Sequence, residues 1–174
     1  METFKLLAFS SLKIIVFFFL FLFVTSCSSF PKAVKLLRAN EVKKAEPLFE
    51  KSIDHRVYDP GARFYLARLG INKDQSTTNW LDINDIFCGL EEEISNLPYR
   101  QLLKLKKNYS SKADVMTSRE KLQKRIIEQM SESASITELK ALETNASCWS
   151  EGALDSLQRI IVNKTLDPYQ QVYN

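Results

Sequence analysis

An all-α fold is the class this sequence predicts, on three observations. Glycine is scarce, four in 174 residues, whereas all-β and α/β folds draw on it for many tight turns. Apolar residues recur at three- and four-residue spacing from Val34 onward. No segment alternates apolar and polar residues over a useful length, as a half-buried strand does. The architecture expected is an irregular array of helical hairpins.

The chain starts with a leader. Lys5 and Lys13 lie upstream of or within an apolar stretch, the run from Ile14 to Val24 is strictly apolar, and Thr25-Ser26-Cys27 follows, then Ser28 and Ser29. A basic start, a short apolar middle and a small-residue end make a secretory signal peptide. The strict run is shorter than the about 20 residues that cross a bilayer core, and Lys13 interrupts the longer stretch from Leu6. An uncleaved membrane anchor is the competing reading. Val24-Thr25-Ser26-Cys27 resembles the bacterial lipobox, in which an aliphatic residue and two small residues precede a cysteine. The resemblance implies cleavage after residue 26, a diacylglycerol on Cys27, an often acylated amino group, and residues 27–30 as a lipidated tether. Two or more acyl chains anchor stably, at about 0.8 kcal/mol per buried CH₂. Ser28 in place of Asp implies, by the same resemblance to Gram-negative lipoproteins, the periplasmic side of the outer membrane. Seven of the 11 phenylalanines lie in the leader, so the mature chain is more polar than the whole.

Helix follows helix thereafter. Phe30 and Pro31 open the first, with Val34 and Leu37 on one face. Val42, Ala45, Phe49 and Ile53 mark a second over 41–54, with a kink or late start expected at Pro47. Asp59-Pro60 restarts the chain as cap and first-turn proline. Ala62, Tyr65, Leu66 and Leu69 form its buried face, and Gly70 is the expected C-terminal stop. Residues 72–79 read as a polar loop. Ile83, Ile86, Phe87, Leu90, Ile94 and Leu97 then make a continuous stripe, with Glu91, Glu92 and Glu93 mostly opposite and Pro98 ending it. Leu102, Leu103 and Leu105 lie in a lysine-rich helix. Ser111 starts the next, with Asp114 in its first turn and a seam of Val115, Leu122, Ile126 and Met130. Ser135 and Glu138 form a capping box ahead of Leu139 and Leu142. Residues 145–147 read as a turn, and Trp149, Ala153, Leu157, Ile160 and Ile161 as the last stripe. Asp167-Pro168 reads as another restart, with Tyr169, Val172 and Tyr173 in a loose final turn.

A shift of 34 residues superposes Ala33 on Ala67, Phe49 on Ile83, Ser52 on Ile86 and Ile53 on Phe87. With the stretches Ala45–Lys51 and Ala62–Arg68, this resembles the tetratricopeptide repeat and its Sel1-like relatives. The likeness implies tetratricopeptide-like hairpins over 31–97, with residues 98–174 as further helices of the same domain. Asn79 and Gly70 depart from the pattern, and the period is lost after Pro98.

Few chemistries fit. The chain has no paired zinc histidines, Gly-x-Ser-x-Gly elbow, P-loop or Cys-x-x-Cys. His55 is the sole histidine, and nothing in the sequence places it beside Cys88. No catalytic, cofactor-binding or metal-binding residue is assigned, and the chain is read as no enzyme. Cys88 and Cys148 are open between a disulfide, which would contribute roughly 4 kcal/mol through loop entropy, and two buried free thiols. With 24 basic and 21 acidic residues, net charge gives no strong pull toward nucleic acid. The basic residues are clustered, however. Lys104, Lys106, Lys107, Lys121, Lys124 and Arg125 are candidates for contact with an anionic membrane surface, against the reading of a solvated face.

The functional expectation is a lipid-anchored envelope protein acting as a non-catalytic helical adaptor for an unidentified protein or peptide. The alternatives are an envelope enzyme or enzyme-associated lipoprotein, and an immunity-type lipoprotein that neutralises a toxin. A concave apolar groove favours the adaptor; a deep polar pocket of convergent ionisable groups favours an enzyme.

Overall fold

The computed structural model describes residues 29–53, 55, 57–145 and 148–170. The leader, Cys27, part of the 145–147 turn, Val172 and Tyr173 lie outside them. Among the described residues there are eight helices and no strand: α1 Ser29–Arg38, α2 Val42–Ile53, α3 Asp59–Lys73, α4 Thr77–Ser95, α5 Tyr99–Lys107, α6 Lys112–Ser133, α7 Ile136–Thr144 and α8 Glu151–Gln170. The chain is an all-α helical array. No described helix is long and apolar enough to cross a membrane. The helices form two compact units that divide between Ala62 and Arg63, inside α3.

In the first unit α1 packs along α2. Phe30 is fully buried, its ring centroid 5.8 Å from that of Phe49 and 4.9 Å from that of Tyr58. Ser29, expected in the tether, is the first residue of α1, and Phe30, read both as the end of the tether and as the opening of the helix, is its second. The reason is apolar area: a buried phenylalanine is worth about 1.5–3 kcal/mol, more than a free linker offers. The Ser29 and Ser52 hydroxyls meet at 2.9 Å, and Ser52 Oγ donates to Leu48 O at 2.6 Å. Asn40 takes φ 61°. Its N–H donates to Leu37 O and that of Glu41 to Leu36 O, the Schellman arrangement that closes a helix with a left-handed residue. Pro47 lies inside α2. It forfeits one backbone bond, and the buried Ala45, Phe49 and Ser52 hold the helix through it.

The second unit corrects several expectations. α3 runs on through Gly70, whose backbone is not left-handed. A Cβ there would stand 3.2 Å from Ile83 Cδ1, so glycine serves close packing at this position. The polar loop shrinks to residues 74–76 because side chains of α4 satisfy the carbonyls that end α3. Asn79 Nδ2 donates to Asp74 O at 2.8 Å and Trp80 Nε1 to Ile71 O at 3.4 Å. Phe64, absent from the expected face, is fully buried, 5.8 Å from the Phe87 ring. Trp80 is buried while Ile86 is 45% exposed, so the stripe on α4 is rotated toward Trp80.

α4 lies along α6, and Leu90, Ile94, Val115, Leu122 and Ile126 fill the space between. The residues superposed by the 34-residue shift are unequal: Ala33, Ala67, Phe49 and Ile83 are all buried, but Ser52 is buried where Ile86 is exposed. α5 ends in a second Schellman arrangement, with Tyr109 at φ 55° and the N–H of Ser110 donating to Leu105 O. Tyr65 Oη donates to Asn108 O at 2.8 Å, tying α3 to that turn. Ser111 with Asp114 and Ser135 with Glu138 both form complete capping boxes. The Ser135 donors hold the Glu138 carboxyl below its ordinary range. α8 packs on α6 and α7. It passes through Asp167-Pro168 to Gln170 without a restart, since a proline in the last turn costs a single bond on a helix already docked.

Two neighbouring residues on α4 should respond in opposite directions. Gly89 has open space around a built Cβ, so Gly89→Ala is expected to stabilise by about 0.5–1 kcal/mol. Leu90 is fully buried, so Leu90→Ala is expected to cost about 2–5 kcal/mol. Urea midpoints at constant m-value check both.

Candidate functional site: a groove above a buried polar seam

Asn84, Cys88 and Glu91 recur along one face of α4, and Arg119 and Gln123 along the facing side of α6. The segment leading into α8 supplies Cys148 and Ser150. Buried polar groups are costly unless bonded, and here they bond to one another. Gln123 is fully buried. Its Nε2 donates to Asn84 Oδ1 at 2.8 Å and to Cys148 O at 3.1 Å. Its Oε1 accepts from Ser150 N at 3.1 Å and Ser150 Oγ at 3.0 Å. Cys148 is bonded to Cys88, their Cα atoms 6.0 Å apart across a sequence separation of 60. The structure thus takes the disulfide branch of the two readings left open for these cysteines.

Arg119 borders this seam. Its Nη1 donates to Cys148 O at 2.7 Å and lies 3.1 Å from Cys148 Sγ. Its Nε stands 2.9 Å from Glu91 Oε1, the two side chains being 11% and 13% exposed. That pair is an ion contact whose angle is too poor for a hydrogen bond. Burial raises the Glu91 carboxyl above its ordinary 4.5; Arg119 and Lys112 pull it back, and Glu120 adds to the rise. Glu91, Glu92 and Glu93 were expected on a solvated face; Glu92 is exposed, but Glu91 is enclosed against Arg119 and Glu93 pairs with Arg63.

Above the seam, α6 and α8 enclose a groove of about 680 Å³. Ile127 and Ala153, both buried, form its apolar part, and Gly152 opens one wall. Glu120, Glu128 and Glu151 stand around it with Lys124, whose Nζ is 3.8 Å from Glu128 Oε1. Ser150 belongs to both features. Its carbonyl accepts the first bonds of α8 from Ala153 and Leu154 N–H, so Gln123 sets where α8 begins and how the groove is shaped. A volume of this size suits a short peptide segment or a small ligand. Among the described residues no group of His, Cys, Asp and Glu could hold a metal ion.

The other sequence candidates are dispersed. Lys104, Lys106 and Lys107 are exposed on α5. Lys121 and Arg125 are exposed on α6 and line a separate, smaller cleft. Cys27 lies outside the described residues. The thiol of Cys88 is committed to Cys148, which removes it from any pairing with His55. Asn84, Arg119 and Gln123 were missed. The signal for the last two was their four-residue spacing inside the stripe of Val115, Leu122 and Ile126.

The raised Glu91 fixes a sign. The native carboxyl holds its proton where the unfolded chain has already released it. Its contribution to stability is full below pH 4.5 and is lost as pH rises through its native value. Arg119→Met removes the neighbouring cation and is expected to cost about 3–5 kcal/mol near neutral pH. The cost should shrink in acid, where Glu91 is protonated. Urea melts at about pH 7 and about pH 4 test this; an equal cost at both would place the effect elsewhere.

A scan against protein-family models finds no match to this chain, and searches of curated proteins and of solved structures find none either.

Proposed function

We propose that this protein is a lipid-anchored adaptor of the bacterial cell envelope, non-catalytic, which docks a segment of a partner protein in the groove between α6 and α8. The observation that carries the reading is the groove: an apolar floor of Ile127 and Ala153 beneath Glu120, Glu128 and Glu151, balanced by a single lysine, Lys124. That chemistry suits an amphipathic segment with an apolar anchor and basic flanks. Such grooves recognise segments through a few buried anchors, while rim charges steer and select. The absence of a catalytic motif from the sequence supports the non-catalytic part.

The anchor in this reading is Cys27, resting on the lipobox resemblance. Only Ser28 separates it from α1, and one residue spans about 3.5 Å. A lipid on Cys27 would therefore hold α1 against the bilayer, with the exposed Lys32 and Lys35 near the headgroups. Each such cation contributes about 1 kcal/mol at an anionic surface, less in salt.

Two experiments test the two parts separately. Cys27→Ser should abolish incorporation of radiolabelled palmitate; label persisting in the variant would overturn the anchor. For the groove, a photo-crosslinking residue at Ser156 of the full-length protein should trap a discrete envelope protein, while one at exposed Lys140 should not. Gly152→Trp fills the groove from a position where a Cβ meets no neighbour, and should cut the Ser156 adduct at least tenfold without lowering the urea midpoint. Equal adducts at Ser156 and Lys140, or an adduct indifferent to Gly152→Trp, would overturn the docking role.

A further inference from the structure

We propose that the smaller cleft between α3 and α6 is a binding site for a single phosphate group. Arg68 and Asn72 come from α3, and Ser118, Lys121 and Arg125 from one face of α6, with Leu122 also lining the cleft. Its volume is about 190 Å³, below the about 300–1,000 Å³ of sites for drug-sized ligands and suited to a compact anion with its first waters.

Three cations line this cleft and no carboxylate does. The acids that neutralise other basic residues of this unit are engaged elsewhere: Glu91 with Arg119, Glu93 with Arg63, Glu128 with Lys124. Among the described residues no ion pair holds Arg68, Lys121 or Arg125. Lys121 and Arg125 stand one turn apart on α6, and like charges at that spacing repel. An anion between the helices turns that repulsion into attraction.

Arg68 is positioned for such a ligand. Its guanidinium lies 5.5 Å from the centroid of the Phe64 ring and 5.8 Å from that of Tyr65. Phe64 and Tyr65 are both buried, so these rings anchor the arginine by cation–π attraction while leaving its N–H groups available. Guanidinium groups bind phosphate oxygens in pairs, and lysine adds a point charge. The Ser118 hydroxyl and the Asn72 amide supply neutral donors. A phosphate monoester, with three acceptor oxygens and nearly two charges, matches this set better than a carboxylate with two oxygens and one charge. The ligand is a soluble phosphate ester or a lipid headgroup phosphate, since both present the same oxygens. The inference does not rest on the adaptor reading, because it uses neither the α6–α8 groove nor the leader.

The test is calorimetric titration of the full-length protein, in micelles of a neutral detergent, with inorganic phosphate at low salt. One saturable site is expected. Arg68→Gln and, separately, Arg125→Gln should each weaken it at least tenfold. The double variant Lys104→Gln/Lys106→Gln, which removes as many charges from α5, should leave it within twofold. Arg125 is exposed, so its variant remains informative if Arg68→Gln disturbs Phe64 and Tyr65. A second arm dopes the micelles with phosphatidic acid or with phosphatidylcholine. A headgroup site predicts that phosphatidic acid alone raises the apparent phosphate Kd at least tenfold. A soluble-ester site predicts no difference between the two lipids. No saturable phosphate binding in undoped micelles, indifference to both arginine variants, or equal weakening by the α5 double variant would each overturn the proposal.

Discussion

Gln123 has no surface left for water, and the placement of α4, α6 and the start of α8 depends on its amide being satisfied. An amide offers two donors and an oxygen with two acceptor sites. All four are used, by Asn84, by the Cys148 carbonyl, and by the amide and hydroxyl of Ser150. Each bond contributes only about 0.5–1.5 kcal/mol, but a buried donor or acceptor left bare costs about 1–3 kcal/mol. That asymmetry gives the seam authority over geometry. A rotation of α8 by one residue would leave polar groups stranded, whereas an all-apolar contact would tolerate the slip. The adjoining Arg119–Glu91 pair is a different kind of contact. Its charges carry a desolvation cost, so it adds selectivity against misplacement more readily than net stability.

The disulfide acts at the same place by another route. Cys148 is tethered to Cys88 covalently and to Gln123 and Arg119 through its carbonyl. The bridge works mainly on the unfolded ensemble, by about 4 kcal/mol for a loop of this length. The seam works on the native state alone. The bridge therefore brings the lead-in to α8 near α4, and the hydrogen bonds select its orientation, which a single covalent link leaves free to pivot.

Helix existence was legible because its signals are local. The capping boxes at Ser111 and Ser135, the Asp59-Pro60 start and the spacing of Leu90, Ile94, Leu122 and Ile126 all act within a turn or two. The misreadings share a physical cause: a neighbour distant in sequence overrode a local preference. Gly70 reads as a stop until Ile83 is seen pressing on it, and the end of α3 is set by Asn79 and Trp80 across the turn. Glu91 and Glu93 look solvated, like the exposed Glu92 between them, because their partners, Arg119 and Arg63, lie on other helices. The groove was illegible for the same reason, since its floor joins Ile127 to Ala153 and its opening depends on a glycine that no pattern distinguishes. The smaller cleft was half legible: Lys121 and Arg125 stood out as basic, but Arg68 joins them only through packing.

The seam also bears on the order in which the chain is made. Its bonds span sequence separations of 25 to 39 residues, and two of its members, Cys148 and Ser150, follow both α4 and α6 in the chain. Synthesised from the N-terminus, α4 and α6 are complete while the Gln123 oxygen still has no donor to accept from. The second unit therefore reaches this arrangement only after α8 begins, as contacts with late partners require. Ending the chain just before Cys148 should therefore undo far more than the loss of one helix. Such a cut removes the bridge, three hydrogen bonds of a buried amide and the helix start together, so chains broken off there are substrates for quality control rather than shorter versions of the same fold.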